Sequence, residues 1–281
     1  MKYIFVILIL ALLACTKPDP NAGWSVKGGT PDGIQYSSLD EINVANAKNL
    51  KLAWSYSSGD ADTINNRSQI QCSPIVVDGI LYATSPSLKP FALEVAAGKE
   101  LWKFTPPAKN SGLGVNRGVT YWTDGKEKRI LFSFAEYLYA LDAQTGNPIA
   151  SFGDSRPVSL KGGLGVRAKD LMVLANTPGV IYKNIIVMGS RVHEGPMAAP
   201  GYIRAFDVIS GRLLWVFKTI PKPDEFGYDT WPADAWQRIG GANAWCGMTV
   251  DHERGLVFAA TGSASFDFYG GMRKGANLFA N

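Results

Sequence analysis

Ala92-Leu-Glu-Val-Ala-Ala-Gly98-Lys-Glu-Leu-Trp102 decides the fold once it is set beside Ala140-Leu-Asp-Ala-Gln-Thr-Gly146-Asn-Pro-Ile-Ala150 and Ala205-Phe-Asp-Val-Ile-Ser-Gly211-Arg-Leu-Leu-Trp215. Each copy opens on alanine, carries an acid two places on and a glycine six places on, and the first and third end on tryptophan. The pattern predicts a strand, a turn closed by glycine where positive φ is needed, and a second strand. The alanines stand 48 and 65 residues apart, on the order of the ~40–50 residues of a four-stranded propeller blade, the longer interval leaving room for loops. A sandwich or jelly roll also strings short strands together, but neither predicts this recurrence. The expected fold class is therefore all-β, a β-propeller. In such a repeat the tryptophan packs across the neighbouring blade with its indole nitrogen donating to a backbone carbonyl, which locks two blades together.

Working outward, Ser73–Thr84, Arg129–Phe134 and Gly179–Gly189 read as further strands followed by glycine- or proline-rich connections. Leu50-Lys-Leu-Ala-Trp54-Ser-Tyr reads as another tryptophan-bearing strand without a partner hairpin, and 43–49 as one short helix capped by Asn43. With 46% hydrophobic and 19% charged residues over 281 positions, the chain can bury a sizeable core. The 28 basic and 24 acidic residues form no basic run, so no nucleic acid partner is implied.

Lys2 precedes an apolar run, Tyr3 to Ala14, that is too short to span a bilayer. Leu12-Leu13-Ala14-Cys15 resembles the bacterial lipoprotein cleavage box. The expected organisation is a lipoprotein signal peptide over 1–14, a lipidated tether over 15–23 starting at Cys15, and a propeller domain over 24–281. A protein so processed would be anchored by lipid to a membrane of the cell envelope and face the periplasm. Cys72 and Cys246 permit one disulfide without requiring it, and no Cys-x-x-Cys supports a zinc site or a c-type haem.

The repeats, together with Gly28-Gly-Thr30, Asn116-Arg117-Gly118, Glu194, Gly240-Gly-Ala-Asn-Ala-Trp245 and Leu256-Val-Phe-Ala-Ala-Thr-Gly262-Ser263, resemble the pyrroloquinoline quinone (PQQ)-dependent dehydrogenases. That family includes membrane-associated glucose and alcohol dehydrogenases. The resemblance covers 24–281 and implies the quinoprotein type of propeller, eight-bladed in the full family and here an incomplete ring of about four blades. It implies oxidation of a sugar or alcohol hydroxyl by hydride transfer to PQQ, with electrons passed to a membrane quinone or a separate carrier. Ca²⁺ would polarise the quinone carbonyl. Aldose is the first substrate expected, because the adjacent cysteine pair of the alcohol enzymes does not occur and membrane glucose dehydrogenases also lack it.

PQQ is a planar ortho-quinone with three carboxylates, so it needs cations and a flat floor. Arg117, in the family's Asn-Arg-Gly triplet, would supply a planar charged fork. Trp245, eighteen residues before Ser263, matches the floor tryptophan. Gln71 stands where relatives have a cofactor-bonding glutamate, and Asn176 and Thr177 where polar groups meet a cofactor carboxylate. Glu194 matches the calcium-binding glutamate. Ser263 stands where many relatives have an asparagine ligand; its hydroxyl or Asp267 could substitute, or the coordination could differ. His193, beside Glu194, reads as a loop residue. The family's catalytic aspartate would lie beyond Asn281, so this piece alone is expected to be an unstable open arc without turnover. The other function class consistent with such repeats is a non-catalytic propeller lipoprotein acting as an envelope assembly scaffold.

Overall fold

The computed structural model describes residues 19–107 and 114–280; the expected signal peptide and lipidation site Cys15 lie outside the described residues. Three four-stranded antiparallel meanders follow one another along the chain. The first is β1 (Ile75–Val77), β2 (Ile80–Thr84), β3 (Pro90–Glu94) and β4 (Glu100–Lys103), and the second β5 (Thr120–Thr123), β6 (Lys128–Phe134), β7 (Tyr137–Asp142) and β8 (Val158–Ser159). After β9 (Val173–Leu174) the third comprises β10 (Val180–Tyr182), β11 (Ile185–Met188), β13 (Ile203–Asp207) and β14 (Leu213–Phe217), with β12 (Arg191–Val192) turned aside to pair with β9. A two-stranded sheet, β15 (Met248–Asp251) and β16 (Leu256–Ala259), begins a fourth. This is the β-propeller that the repeats predict, in the incomplete arc that the family resemblance implies.

The quoted hairpins carry the blade-to-blade seams. In all three copies the acid at the third place accepts the amide of the repeat glycine through its backbone carbonyl: Gly98 to Glu94, Gly146 to Asp142 and Gly211 to Asp207. In the second and third copies the carboxylate also accepts amides inside the turn, from Gln144 and Thr145 and from Ile209 and Ser210. The glycines do more than supply positive φ. A Cβ on Gly98 would stand 2.4 Å from the Trp54 ring and one on Gly146 2.6 Å from the Trp102 ring. Each indole therefore lies flat on a bare α-carbon of the next blade. It then donates to the carbonyl one residue past the acid, Trp54 to Val95 at 2.8 Å and Trp102 to Ala143 at 2.9 Å.

Three expectations change. The 50–56 stretch forms no ladder among the described residues, although its Trp54 docks as predicted. The helix shrinks to one 3-10 turn, Ala47–Asn49, whose N-cap position is Asn46 without a side-chain cap; Asn43 instead accepts the Ala45 amide in the turn before it. In the second hairpin Pro148 has no N–H for the ladder. The return reduces to an isolated bridge with Leu141, and the outer strand is instead β8, paired to Tyr137 and Leu138. There Val158 and Phe152 cover Gly211 in place of a tryptophan. The largest core cluster lies between the second and third blades, with Leu131, Leu138, Phe152 and Leu160 from one and Ile186, Met188 and Phe206 from the other.

Candidate functional site

The segments that lead into successive blades are stitched to one another. Ser73 N–H donates to the Arg117 carbonyl, Arg117 N–H to the Asn176 carbonyl, and the Thr177 hydroxyl to the Trp245 carbonyl. Four loops from four sheets are thus brought side by side. Within the second loop each residue of the triplet has a separate task. Asn116 is buried, and its side chain accepts the Gly118 amide and donates to the Ser133 carbonyl. Gly118, at φ +139, lets its backbone approach Ser73, whose carbonyl oxygen would lie 3.0 Å from a Cβ there. Arg117, held between them, is presented to a cavity.

That cavity, of about 430 Å³, is lined by Gln71, Arg117, Asn176, Glu194, Trp245 and Ser263, all singled out from the sequence, and also by Gln69, Arg191, His193, Asn243 and Asp267. Thr177 is not in the lining; it is buried behind Trp245 and fixes that residue's backbone. Gln71 donates to the Gln69 side chain at 2.9 Å. Gln69 escaped the sequence reading, although its two-residue spacing from Gln71 puts both on one side of an extended chain.

Trp245 is 47% exposed. Its indole lies against Gly262, where a Cβ would be 3.3 Å from Nε1, and the Arg117 guanidinium carbon stands 5.4 Å from its ring centre. The Glu194 loop is tied to the Trp245 segment at both ends. A Cβ on Gly189 would be 1.8 Å from the Ala244 carbonyl oxygen, and Asn243 Nδ2 donates to the Ser190 carbonyl at 2.7 Å. Asp267 N–H donates to the Glu194 carbonyl at 3.2 Å.

The charges in the cavity are of two kinds and do not neutralise one another. Among the described residues Arg117, Arg191, Glu194 and Asp267 take part in no ion pair. Burial, and next the Glu194 charge, raise the Asp267 carboxyl above its ordinary range, with Arg273 opposing. Burial, and next the Arg117 charge, push the Lys27 amine down, with Cys246 opposing. A ligand that combines carboxylates with an aromatic plane fits the guanidinium and indole side. A hard cation fits the other, where Glu194 and Asp267 offer carboxylate oxygens and Asn243 and Ser263 neutral ones. Among the described residues no group of three or more His, Cys, Asp or Glu side chains is arranged to hold a metal, so neutral oxygens would have to complete such a shell. Cys72 and Cys246 are both free.

Comparison with known proteins bears on the family and the fold. Residues 24–281 match the PQQ family described as glucose/ethanol/alcohol dehydrogenase, beta-propeller domain. The dehydrogenase subunit of a quinone-type alcohol dehydrogenase from Gluconacetobacter polyoxogenes is 33% identical over 93% of this chain, and the glycerol dehydrogenase large subunit of Gluconobacter oxydans is 30% identical over 91%. The chain spans 36% of the length of each of these relatives. A quinohemoprotein alcohol dehydrogenase from Pseudomonas putida superposes with a TM-score of 0.75 at 27% identity, over 93% of this chain and 38% of that one.

Proposed function

The chain belongs to the PQQ-dependent glucose/ethanol/alcohol dehydrogenase family through its β-propeller domain, and from that premise we propose that the intact protein oxidises a sugar or alcohol hydroxyl with PQQ seated in the cavity of Trp245, Arg117 and Glu194. The observation that carries the reading is the unneutralised charge in one cavity, two guanidinium groups and two carboxylates beside a half-exposed indole. Side chains that could pair but are held apart favour a ligand carrying both complements.

When bound, the quinone supplies the hydride acceptor. Trp245 gives it a rigid apolar floor and keeps water from one face. Arg117 binds a carboxylate through its planar fork. Gln71, held by Gln69, and Asn176 offer amide donors that add no net charge. Thr177 acts through Trp245 by fixing its carbonyl. Glu194 and Asp267, with Asn243 or Ser263, would hold Ca²⁺, which stops the two carboxylates from repelling each other. Aldoses are the first substrates to try, followed by simple alcohols and polyols, with a membrane quinone or a separate carrier as electron acceptor. Cys15 would carry the lipid that anchors the protein to an envelope membrane, facing the periplasm; labelling with radioactive palmitate that is lost in Cys15→Ser tests this.

The activity is tested by loading the intact protein with PQQ and Ca²⁺ and following dye reduction by glucose and by ethanol. Reduction with glucose, abolished by chelator and restored by Ca²⁺, is expected. No reduction with any sugar, alcohol or polyol, together with no change in the cofactor's spectrum on mixing, would sink the enzyme reading in favour of a scaffold.

A further inference from the structure

Arg191 has no role in the family resemblance, yet the fold fixes it at the cavity wall. Its strand, β12, is separate from the blades and pairs antiparallel with β9, Arg191 opposite Leu174 and Val192 opposite Val173. Val192 is 3% exposed in the main core cluster. Side chains alternate along a strand, so Arg191 points the other way, out of the core. There it lines the cavity together with Arg117, Asn176 and Trp245. The partner strand leads two residues on to Asn176, whose carbonyl accepts the Arg117 amide. One backbone path thus connects the two arginines.

Arg191 makes no side-chain hydrogen bond, ring contact or ion pair among the described residues. It lines the same cavity as Glu194 and Asp267 without closing on either. A planar fork kept free at a cavity wall suits a carboxylate of a ligand. Arg117 alone leaves most of a tricarboxylate's charge unpaired on transfer from water, and an unpaired carboxylate is costly to desolvate.

We propose that Arg191 is a second cationic anchor of the bound cofactor, gripping a carboxylate that Arg117 does not reach. The proposal rests on the cofactor reading above. Cofactor affinity then depends on two guanidinium groups from different sheets, and a neutral quinone of the same ring size gains nothing from Arg191.

The test is equilibrium binding of PQQ to the intact apo-protein, followed by tryptophan fluorescence at several salt concentrations, for wild type, Arg191→Met and Arg191→Lys. Arg191→Met should weaken binding by about tenfold or more at low salt, the scale of a charge-assisted hydrogen bond, and should flatten the salt dependence. Arg191→Lys should keep the salt dependence and recover part of the affinity. Melting of the apo-protein should be unchanged, because the side chain is exposed. Wild-type affinity and salt dependence in Arg191→Met would overturn the proposal while leaving the cofactor reading intact. A wild-type protein that binds no PQQ at any salt concentration would instead overturn that reading.

Discussion

Trp102 and Trp245 both rest on a glycine, and they end in opposite environments. Trp102 lies on Gly146, is 8% exposed and donates its indole N–H to Ala143. Trp245 lies on Gly262, keeps 47% of its surface, and has a guanidinium rather than a packed blade over its ring. The difference comes from what faces the ring on its other side. At the seam the Tyr82 ring packs against the indole with ring centres 6.0 Å apart, and at the cavity the Arg117 guanidinium stands 5.4 Å from the centre of a half-exposed ring. The same side chain is therefore buried in a seam in one place and leaves much of its ring exposed at a cavity in the other. Trp215, the third tryptophan of the repeats, is 42% exposed with no glycine of the described residues beneath it.

Substitutions can break this contrast. Trp102→Ala should cost about 3–5 kcal/mol, the usual range for emptying an aromatic site in a core, read as a large fall in the denaturant midpoint. A cost no greater than that of Trp245→Ala would remove the distinction. Gly146→Ala should cost about 2–4 kcal/mol, because it combines a left-handed backbone at φ +72 with a Cβ 2.6 Å from the indole.

The seam should also be sensitive to alkali. Tyr82 is 3% exposed against the Trp102 ring, and burial, followed by the nearby Tyr121, Asp78 and Asp142, pushes its phenol up to about 12. Its unfolded value is about 10, so the folded form holds the proton longer. The stabilisation is whole below pH 10 and is lost as pH rises towards 12, by up to ~2–3 kcal/mol. Melting curves across that window should show a slope that Tyr82→Phe reduces.

Two smaller effects complete the series. Gly79 shares a positive φ, +74, but has nothing within 4 Å of an added Cβ, so Gly79→Ala should cost only ~1–2 kcal/mol of backbone strain. Comparing it with Gly146→Ala separates strain from packing. Trp245→Ala should change stability least, by about 1 kcal/mol or less, while abolishing cofactor-dependent fluorescence quenching.

What the sequence discloses follows from how local each feature is. The hairpins are readable because acid, glycine and tryptophan act within eleven residues or on the next copy of the same motif. The second copy misleads because Pro148 withholds a ladder donor and a distant segment, β8, takes the vacant edge. The meeting of Gln71, Arg117, Asn176, Glu194 and Trp245 is inferable only through family resemblance, since their convergence depends on backbone bonds between sheets. Arg191 and Gln69 escape notice for the same reason: nothing local distinguishes a cavity arginine from a solvated one. Thr177 was readable as belonging near the site, but its bond to the Trp245 carbonyl was not.

The most direct test is a crystal structure of the intact protein grown with PQQ and Ca²⁺. The quinone plane should lie on the Trp245 indole at van der Waals distance, roughly 3.5–4 Å, with carboxylates on Arg117 and the cation on Glu194. A cofactor bound elsewhere, with Trp245 facing only solvent, would contradict the account.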